Sequence, residues 1–397
     1  MKRVGTGLRG AASAALLLSL SVFGCQSLID LEERRVAPAP WCEDYCDVVM
    51  SSCSGGLDVY SSRAACLAVC DVLDPGSPDD LPKANTVRCR RNLIFGSGEA
   101  PVDCSLSGPV GGDQCGSDCE GYCQILVAAC SDTFTQPVDD CVRECAALRH
   151  GTDRFTTNGT FVKGDTFQCR AVYASNARLD PSLCKNAVIA PVNPQALCTE
   201  SATEPPKCED YCRIAMVACT GDNALYESNE QCLAACNALP AGTNADSNGM
   251  IRVNTPLNTI GCRKFHVYGA LAHPEVHCHH GSATGDGYCG DEDEAICESY
   301  CMIAKQACGA QYSARFLDDE ACEAECQLLP GVTEEGAEDE GLEDTLVTAK
   351  KGGQQVPCLT LHALRVLEKK ANPTAMAAAA VTECPIALGM VACPAEP

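Results

Sequence analysis

Cys42-Glu43-Asp44-Tyr45-Cys46 returns as Cys119-Glu120-Gly121-Tyr122-Cys123, as Cys208-Glu209-Asp210-Tyr211-Cys212 and as Cys297-Glu298-Ser299-Tyr300-Cys301. A further cysteine follows at the same interval each time, at Cys53, Cys130, Cys219 and Cys308. Turning by 100° per residue, positions i, i+4 and i+11 fall within about 40° of one another, so these three cysteines form a stripe along one face of a helix. Val48, Ile125, Ile214 and Ile303 keep the same register after the tyrosine. Glu43, Glu120, Glu209 and Glu298 fall in the first turn, where the helix dipole favours a carboxylate, and a structural role explains them.

Outward from that helix the likeness continues. A Cys-x-x-x-Cys-x-x-Leu segment follows, ending at Leu73, Leu148, Leu239 and Leu329 and stopped by Pro75, Gly151, Pro240 and Pro330. A third helix is expected from Asn85-Thr86, Asp165-Thr166 and Asn258-Thr259, with the Asn or Asp side chain capping the first turn. Arginine comes next to the cysteine of that helix in Cys89-Arg90, Cys169-Arg170 and Cys262-Arg263. The last copy departs with Cys358-Leu359, and its Ala- and Leu-rich stretch from Leu359 to Ala380 is expected to lengthen the third helix. A terminal copy that differs suits a cap. The predicted fold is therefore all-α: four tandem disulfide-stapled repeats at 41–115, 116–198, 199–289 and 290–397, each a helical hairpin plus a third helix and a cysteine-closed loop. The fourth carries an acidic insert at 333–344, read as a solvated run.

Eight cysteines admit many connectivities, and sequence alone does not choose among them. Two antiparallel Cys-x-x-x-Cys helices would set the first cysteine against the fifth and the second against the fourth, similar to the twin staple of α-hairpinin peptides. The expected pairs are Cys42–Cys70 and Cys46–Cys66, Cys119–Cys145 and Cys123–Cys141, Cys208–Cys236 and Cys212–Cys232, and Cys297–Cys326 and Cys301–Cys322. The third cysteine is expected to meet the third helix, giving Cys53–Cys89, Cys130–Cys169, Cys219–Cys262 and Cys308–Cys358. Cys104–Cys115, Cys184–Cys198, Cys278–Cys289 and Cys384–Cys393 would then close loops on themselves. Aromatic residues make up only 5% of the chain, with one tryptophan, so covalent links are expected to stand in for a large apolar core.

These sets use thirty-two of the thirty-three cysteines and leave Cys25. It follows a positive start (Lys2, Arg3, Arg9) and an apolar run from Ala11 to Phe23 that is too short to span a bilayer. Val22-Phe23-Gly24-Cys25 resembles the lipobox of bacterial lipoproteins, with Val22 at the aliphatic position, Gly24 before the cleavage point and Phe23 as the departure. The resemblance implies a signal peptide over 1–24, a diacylglycerol on the Cys25 thiol, and a lipidated tether over 25–40 as the only membrane attachment. Gln26 is compatible with outer-membrane sorting in such proteins. An ordinary secretory leader with an unpaired Cys25 is the alternative. From Cys25 to Pro397 the pattern resembles bacterial Cys-rich repeat lipoproteins, which implies the cell envelope and, at the outer membrane, either its periplasmic or its surface face.

Cysteine at about 8% persists as disulfide only in an oxidising compartment. Loss of Lys2, Arg3 and Arg9 with the leader takes the net charge from -24 to -27, which disfavours nucleic acid and anionic lipid as partners. There is no Gly-x-Ser-x-Gly elbow, His-Glu-x-x-His helix, P-loop or Cys-x-x-Cys redox motif, so neither enzymatic activity nor a cofactor is expected. The expected role is a binding or structural surface module with a protein or glycan partner. The alternative is zinc or copper sequestration by His266, His273, His277, His279 and His280, which are not part of the repeated pattern and from which Cys278 drops out if it is oxidised.

Overall fold

A computed structural model describes residues 40–79, 83–96, 103–150, 155–157, 164–189, 196–200, 204–243, 258–290, 292–329, 332, 345–351, 353 and 355–396. Cys25, the leader, the acidic insert and all of the tether except Pro40 lie outside them. The described residues form helices and turns with no strand, and one isolated parallel bridge links Asp74 and Thr86.

The first set of cysteines holds α1 (Pro40–Ser52), α2 (Arg63–Cys70) and α3 (Val87–Gly96). The second holds α4 (Asp118–Ala129), α5 (Val138–Cys145) and α6 (Phe167–Ala177), and the third α7 (Cys208–Ala218), α8 (Asn229–Ala238) and α9 (Ile260–Ala270). The fourth holds α10 (Glu292–Arg315), α11 (Asp319–Cys326), α12 (Val356–Leu367) and α13 (Pro373–Ala387). α10 breaks at Gly309, whose φ of 37° and ψ of −104° are not helical. Local chemistry sets the starts. Ser62, Ser228 and Asp318 accept from the third amide of α2, α8 and α11, and Ser117 with Glu120 makes a reciprocal capping box on α4.

Each hairpin is stapled as its antiparallel geometry requires: Cys42–Cys70 with Cys46–Cys66, Cys119–Cys145 with Cys123–Cys141, Cys208–Cys236 with Cys212–Cys232, and Cys297–Cys326 with Cys301–Cys322. The other pairs differ from expectation. Cys53 joins Cys104 rather than Cys89, and Cys115 joins Cys89 rather than Cys104. In the same order Cys130–Cys184 and Cys169–Cys198, Cys219–Cys278 and Cys262–Cys289, and Cys308–Cys384 and Cys358–Cys393 replace the expected partners. The reason lies in the path of the chain. The sixth cysteine is at the start of the third helix, whereas the third is at the end of the first helix, where the chain leaving the third helix arrives. The loop then runs back along α3, a length of about 15 Å for ten residues, and its last cysteine meets Cys89. The loop is thus tied at both ends to helices instead of to itself.

Two other expectations change. The third helices are capped by threonine: Thr86, Thr166 and Thr259 accept from the amides of Cys89, Cys169 and Cys262. The preceding Asn85, Asp165 and Asn258 instead hold the arginine that follows the cysteine, through Arg90 Nη2 at 2.7 Å, Arg170 Nη1 at 2.8 Å and Arg263 Nη2 at 2.8 Å. These guanidiniums are buried and donate to carbonyls of the returning loop, from Arg90 to Gly108 and Pro109, Arg170 to Val188, and Arg263 to Ser282 and Ala283. Gly111 and Gly285 pass beside the Arg90 and Arg263 forks with φ of 87° and 75°, where a Cβ would lie 3.1 and 3.2 Å from the guanidinium nitrogen. The fourth set has buried Leu359 and Leu388 at the matching positions. Its third helix is not lengthened: α12 ends at Leu367, and the Ala-rich stretch forms a separate helix, α13, which Pro373 opens after the Asn372 cap.

The tyrosine of each opening motif is buried and donates to the carbonyl three residues beyond the seventh cysteine: Tyr45 to Ser107, Tyr122 to Ala187, Tyr211 to Gly281 and Tyr300 to Ala387. Burial pushes the Tyr45 phenol up to about 12 against the opposing charge of Arg90. Tyr300→Phe removes one hydroxyl and strands the Ala387 carbonyl, so a loss of about 1–3 kcal/mol is expected in chemical denaturation with bridges intact. An unchanged midpoint would show that this bond contributes nothing.

Candidate functional site

The histidines converge in the third set. α9 carries His266 inward, and a single turn at Pro274–His277 brings His277 against it. Gly269 makes room, since a Cβ there would lie 2.8 Å from the His277 ring. The Cys219–Cys278 bridge pins the next residue, and the turn His279–Gly281 carries His280 into the same space. His266 Nδ1 and His277 Nδ1 are 3.5 Å apart. One ring nitrogen from each of His266, His277 and His280 lies within 4.8 Å of the others. His266 and His280 are buried, His277 half-buried, and Tyr288 stacks on His280 with ring centroids 3.4 Å apart.

His279 turns away to Asp286, with Nδ1 2.5 Å from Oδ2, while its ring contacts that of His280 at 4.0 Å. Exposed His273 faces Glu275 at 3.6 Å and stays outside the group. Cys278 and the nearby Cys262 and Cys289 are oxidised, so the site offers imidazole nitrogens and no thiolate.

The register explains why two of these rings meet. His266 stands four residues after the sixth cysteine and His277 one before the seventh; the same positions hold Leu93 and Asp103, Tyr173 and Leu183, and His362 and Glu383. In the fourth set that pair is a direct contact, His362 Nδ1 to Glu383 Oε2 at 2.5 Å. The shared register accounts for the His266–His277 contact once the path after α9 is known; neither that path nor the inward turn of His280 has a signal in the sequence.

The other face of α9 meets the second set and the segment that leads from it to α7. Lys264 Nζ lies 2.5 Å from Glu200 Oε2, and Tyr268 donates to Asp165 Oδ2 at 2.5 Å. Burial raises the Asp165 carboxyl, but Arg170 and Lys264 outweigh it and hold the group below the usual range. α9, which carries His266, is therefore held on both sides.

With this geometry in view, one match covers the whole cluster. Residues 188–292 match the model of the BfoA family C-terminal domain. This BfoA-like region contains α7, α8, α9 and all five histidines. The chain is also 32% identical over 100 residues to a protein of Acanthamoeba polyphaga mimivirus described as EGF-like domain-containing, covering 25% of this chain and 16% of that protein. These matches mark a Cys-rich relationship. No solved structure matches the chain. No helix among the described residues is long and apolar enough to cross a membrane, and the density of disulfides is that of an extracellular or envelope protein.

Proposed function

We propose that the chain is a non-enzymatic, lipid-tethered module of the bacterial cell envelope, a four-unit stapled array with units at 41–115, 116–198, 199–289 and 290–397. The observation that carries this reading is the cysteine count. Sixteen bridges consume thirty-two cysteines, and the one left over is Cys25, the residue in the lipobox-like position. Two or more acyl chains on that residue would supply the double anchor that stable attachment needs. Bridges at every hairpin and loop suit a surface that must keep its shape outside the cell, where it spaces neighbours or presents exposed faces to a protein or glycan.

Cys25→Ala is expected to move the protein from the membrane fraction to the soluble periplasmic or medium fraction. Mass spectrometry of the wild-type amino-terminal peptide should show an acylated Cys25 as first residue. A mature chain that begins elsewhere, carries no lipid and partitions into the aqueous phase would overturn the tether.

A further inference from the structure

The geometry points to a transition-metal site in which His266, His277 and His280 bind a divalent ion, zinc by preference, through three imidazole nitrogens. A zinc ion about 2.0–2.1 Å from each nitrogen in tetrahedral geometry sets those nitrogens about 3.3–3.4 Å apart. His266 Nδ1 and His277 Nδ1 stand 3.5 Å apart, a long separation for a hydrogen bond and close to the edge of that tetrahedron. The His280 nitrogen lies within 4.8 Å of both, so closing of the three rings on an ion completes the face.

The fourth set is the internal control. Its matching positions carry His362 and Glu383, which meet as a direct 2.5 Å pair. The third set puts a second imidazole where that carboxylate stands and adds a third ring from the turn beyond. Disulfides remove the sulfur ligands, and three nitrogens with one open position is an arrangement zinc accepts, the last ligand being water reached past half-buried His277. Asp286 holds His279 against the His280 ring, and Tyr288 covers the other contact, so the third ligand is supported from outside the coordination sphere. Copper(II) would compete on raw affinity. The site is built wholly from the third set and does not depend on the lipid tether.

The test uses the mature, fully oxidised chain, stripped with a chelator and titrated with Zn2+ against a chromophoric competitor. One Zn2+ per chain is expected. His277→Ala, at the least buried ligand, should weaken binding by more than the roughly 100-fold that loss of an outer-shell partner reaches, while His273→Ala leaves it unchanged. Co2+ substitution in the unaltered chain should give the intense visible bands of a tetrahedral nitrogen site, a readout that needs no variant to fold. Absence of stoichiometric Zn2+ in the unaltered chain, or affinity that His277→Ala leaves intact, overturns the site. Cys25→Ala should keep full Zn2+ binding, which separates failure of the tether from failure of the metal site.

Discussion

Full reduction in buffer without denaturant is expected to unfold the chain, with loss of near-ultraviolet dichroism, expansion in small-angle scattering and collapse of amide protection across every hairpin. The expectation follows from what fills the interior. Buried positions are dominated by half-cystines, alanines and single aliphatic side chains, and aromatic residues are 5% of the sequence. The bridges span separations from 18 residues at Cys123–Cys141 to 76 at Cys308–Cys384. Loops of that size each restrict the unfolded chain by about 3–4.5 kcal/mol when closed alone. Nested and crossing loops share that restriction, yet even a quarter of the total is about 12–18 kcal/mol, comparable to the roughly 5–15 kcal/mol by which a domain is stable. The same bridges carry buried sulfur that packs the hairpin seams, so reduction loses contacts as well as constraint. A reduced chain that kept its helices, dimensions and exchange protection would show that side-chain packing suffices and the staples are secondary.

What could be read from the sequence was whatever depended on one helix or one antiparallel pair. The i, i+4, i+11 stripe of Cys42, Cys46 and Cys53 places α1, and an antiparallel Cys66-x-x-x-Cys70 helix facing it ranks Cys42–Cys70 and Cys46–Cys66 first. Cys53–Cys104 and Cys89–Cys115 depend on where the chain goes after α3, which no local periodicity encodes. The caps differ from expectation for a related reason. Asn85 and Asn258 suit a cap by residue type, and so do Thr86 and Thr259; the buried arginine five residues beyond the asparagine decides between them by claiming its oxygen. At the histidine cluster, composition showed five imidazoles in a short stretch but did not show that His273 points away and His280 points in.

Those arginines lead to the second large effect, an expected loss of about 4–5 kcal/mol on Arg263→Leu, at the far end of the range for single substitutions. Arg263 is fully buried and donates to five acceptors: Thr259 O at 3.1 Å, Asn258 Oδ1 at 2.8 Å, Ser282 O at 2.9 Å, Ala283 O at 3.0 Å and Ser299 Oγ at 3.0 Å. Hydrogen bonds to a charged group contribute about 1.5–3 kcal/mol each, and a buried carbonyl that loses its donor keeps its full desolvation cost. The fourth set has buried Leu359 at the equivalent position and buried Leu388 at the position of Ser282; beside Arg263 the chain presents the Ser282 carbonyl. Arg263→Lys should recover little, since an ammonium cannot reproduce the planar fork that reaches α9, the loop and Ser299 of α10 together. Urea denaturation with the bridges intact measures the loss, and an unchanged midpoint for Arg263→Leu would refute the clamp. The loop that Arg263 holds at Ser282 and Ala283 is continuous with His280 on one side and Tyr288 on the other. Release of those two carbonyls should therefore lower amide protection from His280 through Cys289 before it affects α7 and α8, and should weaken Zn2+ binding without altering any of the three rings.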